Sequence, residues 1–313
     1  MSHHLASSSH PPAADIRLAY LSLVVTMIMF GSAFASAKMV VGEMPAIVAA
    51  ALRFAGGGIV LAVIALIMRE RTHPISCRAM LYAAGAGLIG VFGYNALFFW
   101  ALTLAPSLDG SIIIPVLSPL ITSGLMISFG KEQASPSRLA GLLMGLLGAA
   151  VFLYGAGSFS VSNGRLFGDM LFLLAAGCWA IYSIVSKQLL GTGNISALQA
   201  TACATSSGSL GLILLAIPQW GAVSWGHISH TAWLNVAFLI LGPTALAYML
   251  YFHGLKYVKA STATLMMLLV PACGAFFSIV LMGESLNMMQ CIGVLILLAG
   301  ALTAINPLRH TRA

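Results

Sequence analysis

The chain has 313 residues, of which 60% are hydrophobic and only 7% are charged. A soluble domain of average composition carries about 25% charged residues, so this sequence cannot supply the polar surface that water requires. It predicts a membrane protein without a separate soluble catalytic domain. The net charge of +7 comes from basic residues scattered singly along the chain, a pattern that excludes a nucleic-acid-binding face.

Ten apolar stretches follow a predicted disordered tail at residues 1–16, and a second short tail occupies 307–313. Each stretch is long enough to cross about 30 Å of hydrocarbon as a helix, and such continuous runs favour a helical bundle. We therefore predict an all-α polytopic membrane protein. The predicted spans run approximately over 18–37, 45–68, 79–103, 110–129, 138–157, 168–186, 195–217, 231–254, 260–282 and 287–306.

The distribution of Lys and Arg between the connections predicts the orientation, because positive charge resists translocation. With the N-terminus in the cytoplasm, the outer side holds only Lys38 and Arg165. The inner side then holds eleven basic residues: Arg17, Arg69, Arg71, Arg78, Lys131, Arg138, Lys187, Lys256, Lys259, Arg309 and Arg312. We expect both termini to be cytoplasmic.

The two halves of the chain resemble each other. A shift of 152 residues superimposes a proline, a glutamate and two glycines on like residues: Pro119 on Pro271, Glu132 on Glu284, Gly141 on Gly293 and Gly148 on Gly300. Nearby registers align FGSAFASAK at 30–38 with WAIYSIVSK at 179–187, and Ala101–Leu102 with Gly254–Leu255. We predict two repeats, at 17–157 and 158–306. Five spans per repeat mean that the second copy enters the membrane inverted, which is the geometry of alternating access.

These features resemble the EamA-type drug/metabolite transporter superfamily. The resemblance lies in the 5+5 layout, the Lys that closes spans one and six, the proline pattern of spans four and nine, and the Gly-Lys-Glu or Gly-Glu before spans five and ten. It implies an inner-membrane carrier, often an exporter of amino acids or related metabolites. It also implies a central cavity bounded by spans one, three, four, six, eight and nine, with spans five and ten outside.

Inserting a charged side chain at the membrane centre costs roughly 2.5–3.5 kcal/mol, so we expect each charge within a span to have a compensating interaction or a function. Arg53 lies about eight residues into the second span. It is expected to bind an anionic substrate group or to pair with Glu43; the alternatives are snorkelling to the interface or binding helix-end carbonyls. Lys38 and Lys187 end spans one and six, where cations cap helix C-termini, and they are candidate gate residues. The second half has no basic residue at the equivalent of Arg53, around 202–205.

Aromatic and small polar side chains on the spans around the expected cavity are the candidate substrate-binding residues. Such side chains offer apolar faces and a few oriented hydrogen bonds to a moderately apolar cargo. The alternative is that they only pack helices together or form an interfacial belt. The candidates are Phe30, Tyr94, Asn95, Trp179, Tyr248 and Tyr251.

Pro119 and Pro271 are repeat-equivalent, and each removes a helix hydrogen bond, so they are candidate hinges or static kinks. In span five, Gly141 and Gly145 form a small-residue face suited to close helix contact. We expect this face to pack within the subunit, so a monomer is favoured over a homodimer.

The sequence contains no phosphate-binding loop, HExxH site, nucleophile elbow or CxxC pair, so we expect neither an enzyme nor a cofactor or metal site. The acidic residues of the apolar region sit at or near span ends or in connections, which favours a neutral or zwitterionic cargo: Glu43, Asp109, Glu132, Asp169 and Glu284. We predict a carrier of the cell inner membrane that exports small amphipathic metabolites, foremost amino acids. Its expected partners are a small-molecule substrate and membrane lipid. The alternatives are a carrier of organic acids or sugar phosphates using Arg53 and Lys38, a broad-specificity drug exporter, and an intramembrane enzyme or lipid-binding scaffold.

Overall fold

The computed structural model describes residues 13–68, 76–105, 107–133, 135–155, 163–282 and 286–305, and all regular structure in these ranges is helical. Ten long helices follow one another: α1 (Ala13–Val41), α2 (Ala46–Ile67), α3 (Cys77–Leu104), α4 (Ser107–Ser128), α5 (Pro136–Gly155), α6 (Asn163–Gly191), α7 (Ala197–Ala216), α8 (His230–Tyr257), α9 (Ala260–Leu281) and α10 (Met288–Ile305).

Within these ranges, nine helices are long and apolar enough to cross a membrane, and α10 is a shorter apolar helix. The prediction of an all-helical polytopic membrane protein is confirmed. Helix α1 begins at Ala13, so residues 13–16, which we assigned to the tail, belong to the first helix. The rest of the two predicted tails, 1–12 and 307–313, lies outside the described residues.

The helices pack in a pattern that is unchanged when the two halves are exchanged. Helix α1 packs against α8 and α9, and its counterpart α6 packs against α3 and α4. Helix α2 packs against its own counterpart α7, and α5 against α10. The bundle therefore contains two equivalent three-helix groups, which we call the α1–α8–α9 group and the α3–α4–α6 group.

Glycine contacts between α5 and α10 show that the repeats are inverted. A Cβ on Gly141 would lie 2.6 Å from the Gly300 carbonyl oxygen, and one on Gly148 would lie 2.9 Å from that of Gly293. The start of α5 thus meets the end of α10, as in an antiparallel pair. Since Gly141 corresponds to Gly293 and Gly148 to Gly300, the contacts are equivalent across a pseudo-two-fold axis. Glu284, the predicted counterpart of Glu132, lies outside the described residues.

Helices α3 and α8 each contain a π-helical segment at the same place in the repeat. These segments are Leu88–Gly93 and Ile240–Leu246, and each is followed by an 11-residue α-helical segment. The first packs on α7 and the second on α2. A π-helical turn adds a residue to the helix and is frequent at functional sites. A Cβ on Gly90 would lie 2.1 Å from the Tyr182 ring, so this segment also requires glycine where it meets α6.

Candidate functional site

A cavity of about 270 Å³ lies between the two three-helix groups. It runs from the middle of the bundle to the face opposite the start of α1; we call these two faces the opposite face and the N-terminal face. Near the opposite face its wall includes the last turns of α1 and α3. The lining residues are Phe30, Ala33, Phe34, Ala37, Lys38, Val41, Arg53, Phe54, Tyr94, Asn95, Phe98, Leu102, Ala105, Ile114, Pro115, Trp179, Tyr248, Met267 and Val270.

Four aromatic side chains form a cluster at the inner end of the cavity, which we call the aromatic cluster: Phe30, Tyr94, Trp179 and Tyr248. The Trp179 ring lies 5.5 Å from Phe30, 5.4 Å from Tyr94 and 5.9 Å from Tyr248, between centroids. Phe30 and Trp179 are repeat-equivalent and meet edge to face. Such contacts between rings contribute about 0.5–1.5 kcal/mol each beyond area burial, so they hold the cluster in a fixed shape.

Asn95 lies beside the aromatic cluster and also lines the cavity. Its Nδ2 donates to the carbonyl oxygen of Val91 at 2.7 Å, within the π-helical segment of α3. The side-chain amide is buried, and this bond orients it against its own helix. The structure thus brings together five of the six predicted substrate-binding residues around one cavity.

Arg53 is buried, with 8% of its surface exposed, and it lines the cavity. Its Nε donates to Thr244 Oγ1 at 2.9 Å, in the π-helical segment of α8, and its guanidinium lies 4.8 Å from the centre of the Phe54 ring. The expected alternative of an Arg53–Glu43 pair is wrong. Glu43 accepts hydrogen bonds from the Ser229 amide and hydroxyl, both at 2.6 Å, because these groups lie beside it at the opposite face.

The same hydrogen bonds act on the charge of Glu43, which lies in the connection between α1 and α2. The Ser229 hydroxyl, and then the Ser229 amide, hold the pKa of Glu43 below its ordinary value because both bonds favour the carboxylate. The link ties the α1–α2 connection to the residue that precedes α8.

The two groups are joined between the cavity and the N-terminal face. Tyr251, one turn beyond Tyr248, is fully buried and shares a 2.7 Å hydrogen bond with Ser183 of α6. Further along α6, Lys187 Nζ donates to the carbonyl oxygens of Leu255 and Lys256, each at 2.9 Å. Lys187 therefore caps the C-terminus of α8 rather than of its own helix. Tyr251 and Lys187 close the bundle on this side and do not line the cavity.

The candidate hinge prolines lie in the walls on either side of the cavity. Pro119 is buried in α4, one turn after the lining residue Pro115, and α4 stays α-helical through both. Pro271 is buried in α9, where the α-helix is interrupted by a 3-10 segment at Met266–Leu269. The two halves therefore share the proline but differ in local helix geometry.

Sequence reasoning missed several lining residues and both π-helical segments. Phe34, Phe54 and Met267 line the cavity, yet they sit in largely apolar runs whose periodicity does not mark one face. Glycines at 87, 90 and 93 and the proline at 243 were the available signals for irregular helix in α3 and α8.

The sequence matches the EamA-like transporter family twice, over residues 17–154 and 166–305. The chain belongs to this family. The resemblance inferred from the repeats is confirmed, and the two matched segments agree with a two-repeat architecture. Members of this family are transporters and not enzymes, and the protein is a multi-pass membrane transporter.

Individual relatives agree with this assignment. The uncharacterized transporter YyaM of Bacillus subtilis is 28% identical over 297 residues, which cover 93% of this chain and 94% of YyaM. The aromatic amino acid exporter YddG of Ancylobacter novellus is 28% identical over 235 residues, 74% of this chain and 77% of YddG. A solved crystal structure superimposes with a TM-score of 0.75 at 25% identity, covering 91% of this chain and 97% of that one.

Proposed function

We propose that this protein exports small amphipathic metabolites, foremost amino acids, from the cytoplasm by alternating access. The observation that carries the proposal is the cavity between two inverted three-helix groups, lined by the aromatic cluster and, near the opposite face, by the last turns of α1 and α3. The proposed form is a monomer in the cell inner membrane, with both termini in the cytoplasm and substrate and lipid as partners.

The cavity wall suits an amphipathic cargo. Most of its lining is apolar or aromatic, and the polar exceptions on the wall are few and fixed in place, as with Asn95 and Arg53. Sites for small molecules combine an apolar wall with a few placed polar groups in this way. A relative that exports aromatic amino acids supports the same class of cargo. We assign the substrate site to Phe30, Tyr94, Asn95, Trp179 and Tyr248, and we leave out the predicted Tyr251 because it does not line the cavity.

The inverted repeat supports alternating access. Because the two groups are equivalent, rocking one against the other converts a cavity at one face into an equivalent cavity at the other. With cytoplasmic termini, the opposite face is the outer face, so the structure represents the outward-facing state. Pro119 and Pro271 are the proposed bends, since each removes one backbone hydrogen bond from a helix beside the cavity.

Transport in liposomes tests the proposal. Purified protein is reconstituted into liposomes loaded with an unlabelled amino acid, and entry of the same labelled amino acid by exchange is measured across a broad panel. We expect exchange for amino acids with large apolar side chains, with protein-free liposomes as the blank. Absence of exchange for the whole panel contradicts the proposal, and exchange limited to structurally unrelated lipophilic compounds points instead to a drug exporter.

A second candidate is a carrier of organic acids or sugar phosphates. It is favoured by the charge of the cavity, where the charged residues among those described on the wall are the cations Arg53 and Lys38. In that case Arg53→Gln abolishes exchange of the anions and leaves exchange of neutral cargo intact. The same liposome assay separates the two candidates.

A further inference from the structure

Arg53 is a cation at membrane depth without a carboxylate partner among the described residues. Nε donates to Thr244, and the structure records no ion pair for the guanidinium within the described ranges. The four N–H donors on the two Nη atoms remain for other acceptors. A charge within a membrane span costs free energy unless a partner or a ligand offsets it, so we expect the Arg53 guanidinium to bind an anion.

The surroundings of Arg53 fix its position. A Cβ on Gly57 would lie 2.4 Å from Thr244 Cγ2, so α2 and the π-helical segment of α8 are in close contact where the Arg53–Thr244 bond forms. Phe54, beneath the guanidinium, lies 6.0 Å from Tyr248 between ring centroids. The cation is therefore held one ring away from the aromatic cluster, and both line the same cavity.

We infer that Arg53 binds the carboxylate of the cargo while the aromatic cluster packs on its apolar part. The inference rests on the proposed function and narrows it: the cargo carries a free carboxylate next to a large apolar group. A charge-assisted, two-point bond between guanidinium and carboxylate is geometrically specific. An amide or a decarboxylated amine with the same side chain lacks the anion and should bind more weakly.

The test compares phenylalanine with phenylalaninamide and phenethylamine as competitors of labelled phenylalanine in the liposome exchange assay. For the wild type, we expect phenylalanine to compete about 10- to 100-fold better, the range for a charge-assisted bond. Arg53→Gln should lose this preference. Arg53→Lys should keep part of this preference, because Lys retains the positive charge but cannot donate the two parallel hydrogen bonds of a guanidinium. The matched control is Arg78→Gln, which removes an exposed cation on α3 away from the cavity.

The outcomes separate this inference from the proposed function. No phenylalanine exchange by the wild type contradicts the function. Exchange without preference for the free carboxylate, or an unchanged preference in both Arg53 variants, overturns the inference and leaves the function standing. If Arg53→Gln does not fold, as judged by gel filtration, Arg53→Lys alone decides: an unchanged preference overturns the inference, and a reduced one supports it.

A second inference rests on a different observation, the bonds of Lys187 to α8. Lys187 belongs to the α3–α4–α6 group and donates to two carbonyls at the end of a helix of the other group. Its repeat counterpart is Lys38 of α1, and the counterparts of Leu255 and Lys256 are Leu102 and Thr103 at the end of α3. Lys38 and Leu102 both line the cavity near the opposite face.

We propose that the two lysines act as alternating latches. When the cavity closes at the opposite face, Lys38 donates to the carbonyl oxygens of Leu102 and Thr103, as Lys187 now donates to those of Leu255 and Lys256. The latch at the N-terminal face opens at the same time. The inverted symmetry supports this exchange. Because the two halves are equivalent, the bonds that Lys187 makes near the N-terminal face have counterparts that Lys38 can make near the opposite face. This proposal rests on alternating access and not on the identity of the cargo.

Thiol labelling tests the latches without any cargo. Ala37→Cys, on the cavity wall, is introduced into protein whose five native cysteines are replaced, and its labelling by a membrane-impermeant maleimide is timed. Lys187→Met removes bonds that hold the present state, so labelling should slow several-fold. Lys38→Met removes the proposed bonds of the other state, so it should slow labelling less than Lys187→Met does. Lys187→Arg, which keeps the donors, is the matched control. Unchanged or faster labelling with Lys187→Met overturns the proposal, and so does labelling that Lys38→Met slows as much as Lys187→Met or more.

Discussion

Two glycines on one turn of α3 provide a direct test of the packing between the repeats. A Cβ on Gly87 would lie 2.0 Å from the carbonyl oxygen of Ala204 in α7 and 2.4 Å from Ser207 Oγ. Two residues earlier, a Cβ on Gly85 would meet no heavy atom within 4 Å. Gly87→Ala and Gly85→Ala therefore make the same chemical change in the same helix, with and without a neighbour.

The expected difference follows from two opposing contributions. Alanine in a helix interior gains about 1 kcal/mol over glycine, and both variants receive this gain. At Gly87 the nearest atom is backbone, so α3 and α7 must move apart by roughly 1 Å, and overpacking of this kind costs about 1–3 kcal/mol. The separation also strains the 2.9 Å bond from Ser207 Oγ to the Ala84 carbonyl, worth about 1 kcal/mol. Gly87→Ala should therefore be less stable than Gly85→Ala by about 2–4 kcal/mol, because the gain in helix propensity is common to both.

Thermal unfolding in detergent measures this difference. For a chain of this size we expect an apparent Tm that is about 4 °C or more lower for Gly87→Ala than for Gly85→Ala, with the latter at or slightly above the wild type. Equal values for the two variants would refute the close approach of α3 to α7, and with it the packing that surrounds the first π-helical segment.

Two further predictions concern the cavity and its rim. Trp179→Ala should lower the apparent affinity for amino acids in the exchange assay at least tenfold, because Trp179 contacts the other three rings of the aromatic cluster. Trp100→Ala, at an exposed position, should leave exchange unchanged. Equal effects of the two changes in the liposome assay would contradict the assigned site. The Glu43–Ser229 link should hold above the ordinary pKa of 4.5 and be lost as the pH falls through the lowered pKa. The Tm of the wild type should therefore drop more steeply below about pH 4.5 than that of Ser229→Ala, which keeps only the amide donor. Parallel profiles would show that the hydroxyl bond contributes nothing.

The sequence was sufficient for the architecture because the membrane imposes simple rules. Apolar length predicts spans, and the repeated Pro119 and Pro271 predict two copies that must be inverted when each has five spans. The same alignment pairs Lys38 with Lys187, and it places Phe30 opposite Trp179 in the repeat. These predictions concern positions along the chain, so the hydrophobic pattern and the repeated residues suffice for them without any knowledge of contacts.

Contacts between distant positions were not predictable in this way. Glu43 was a reasonable partner for Arg53 by proximity in sequence, yet it is bound by Ser229, which is 186 residues away, and Arg53 is bound by Thr244, 191 residues away. The π-helical segments also escaped prediction, because the shift in backbone hydrogen bonding depends on close packing such as that of Gly90 on Tyr182.

By itself, then, the sequence determined that the chain crosses the membrane as ten helices in two inverted copies, since hydrophobic length and repeated motifs are properties of the chain alone. Only the tertiary structure decided which residues line the cavity and that Lys187 bonds to the end of a helix in the other group. The physical reason is that two halves with the same helix arrangement encode both states at once, and the choice between them lies in contacts between the halves.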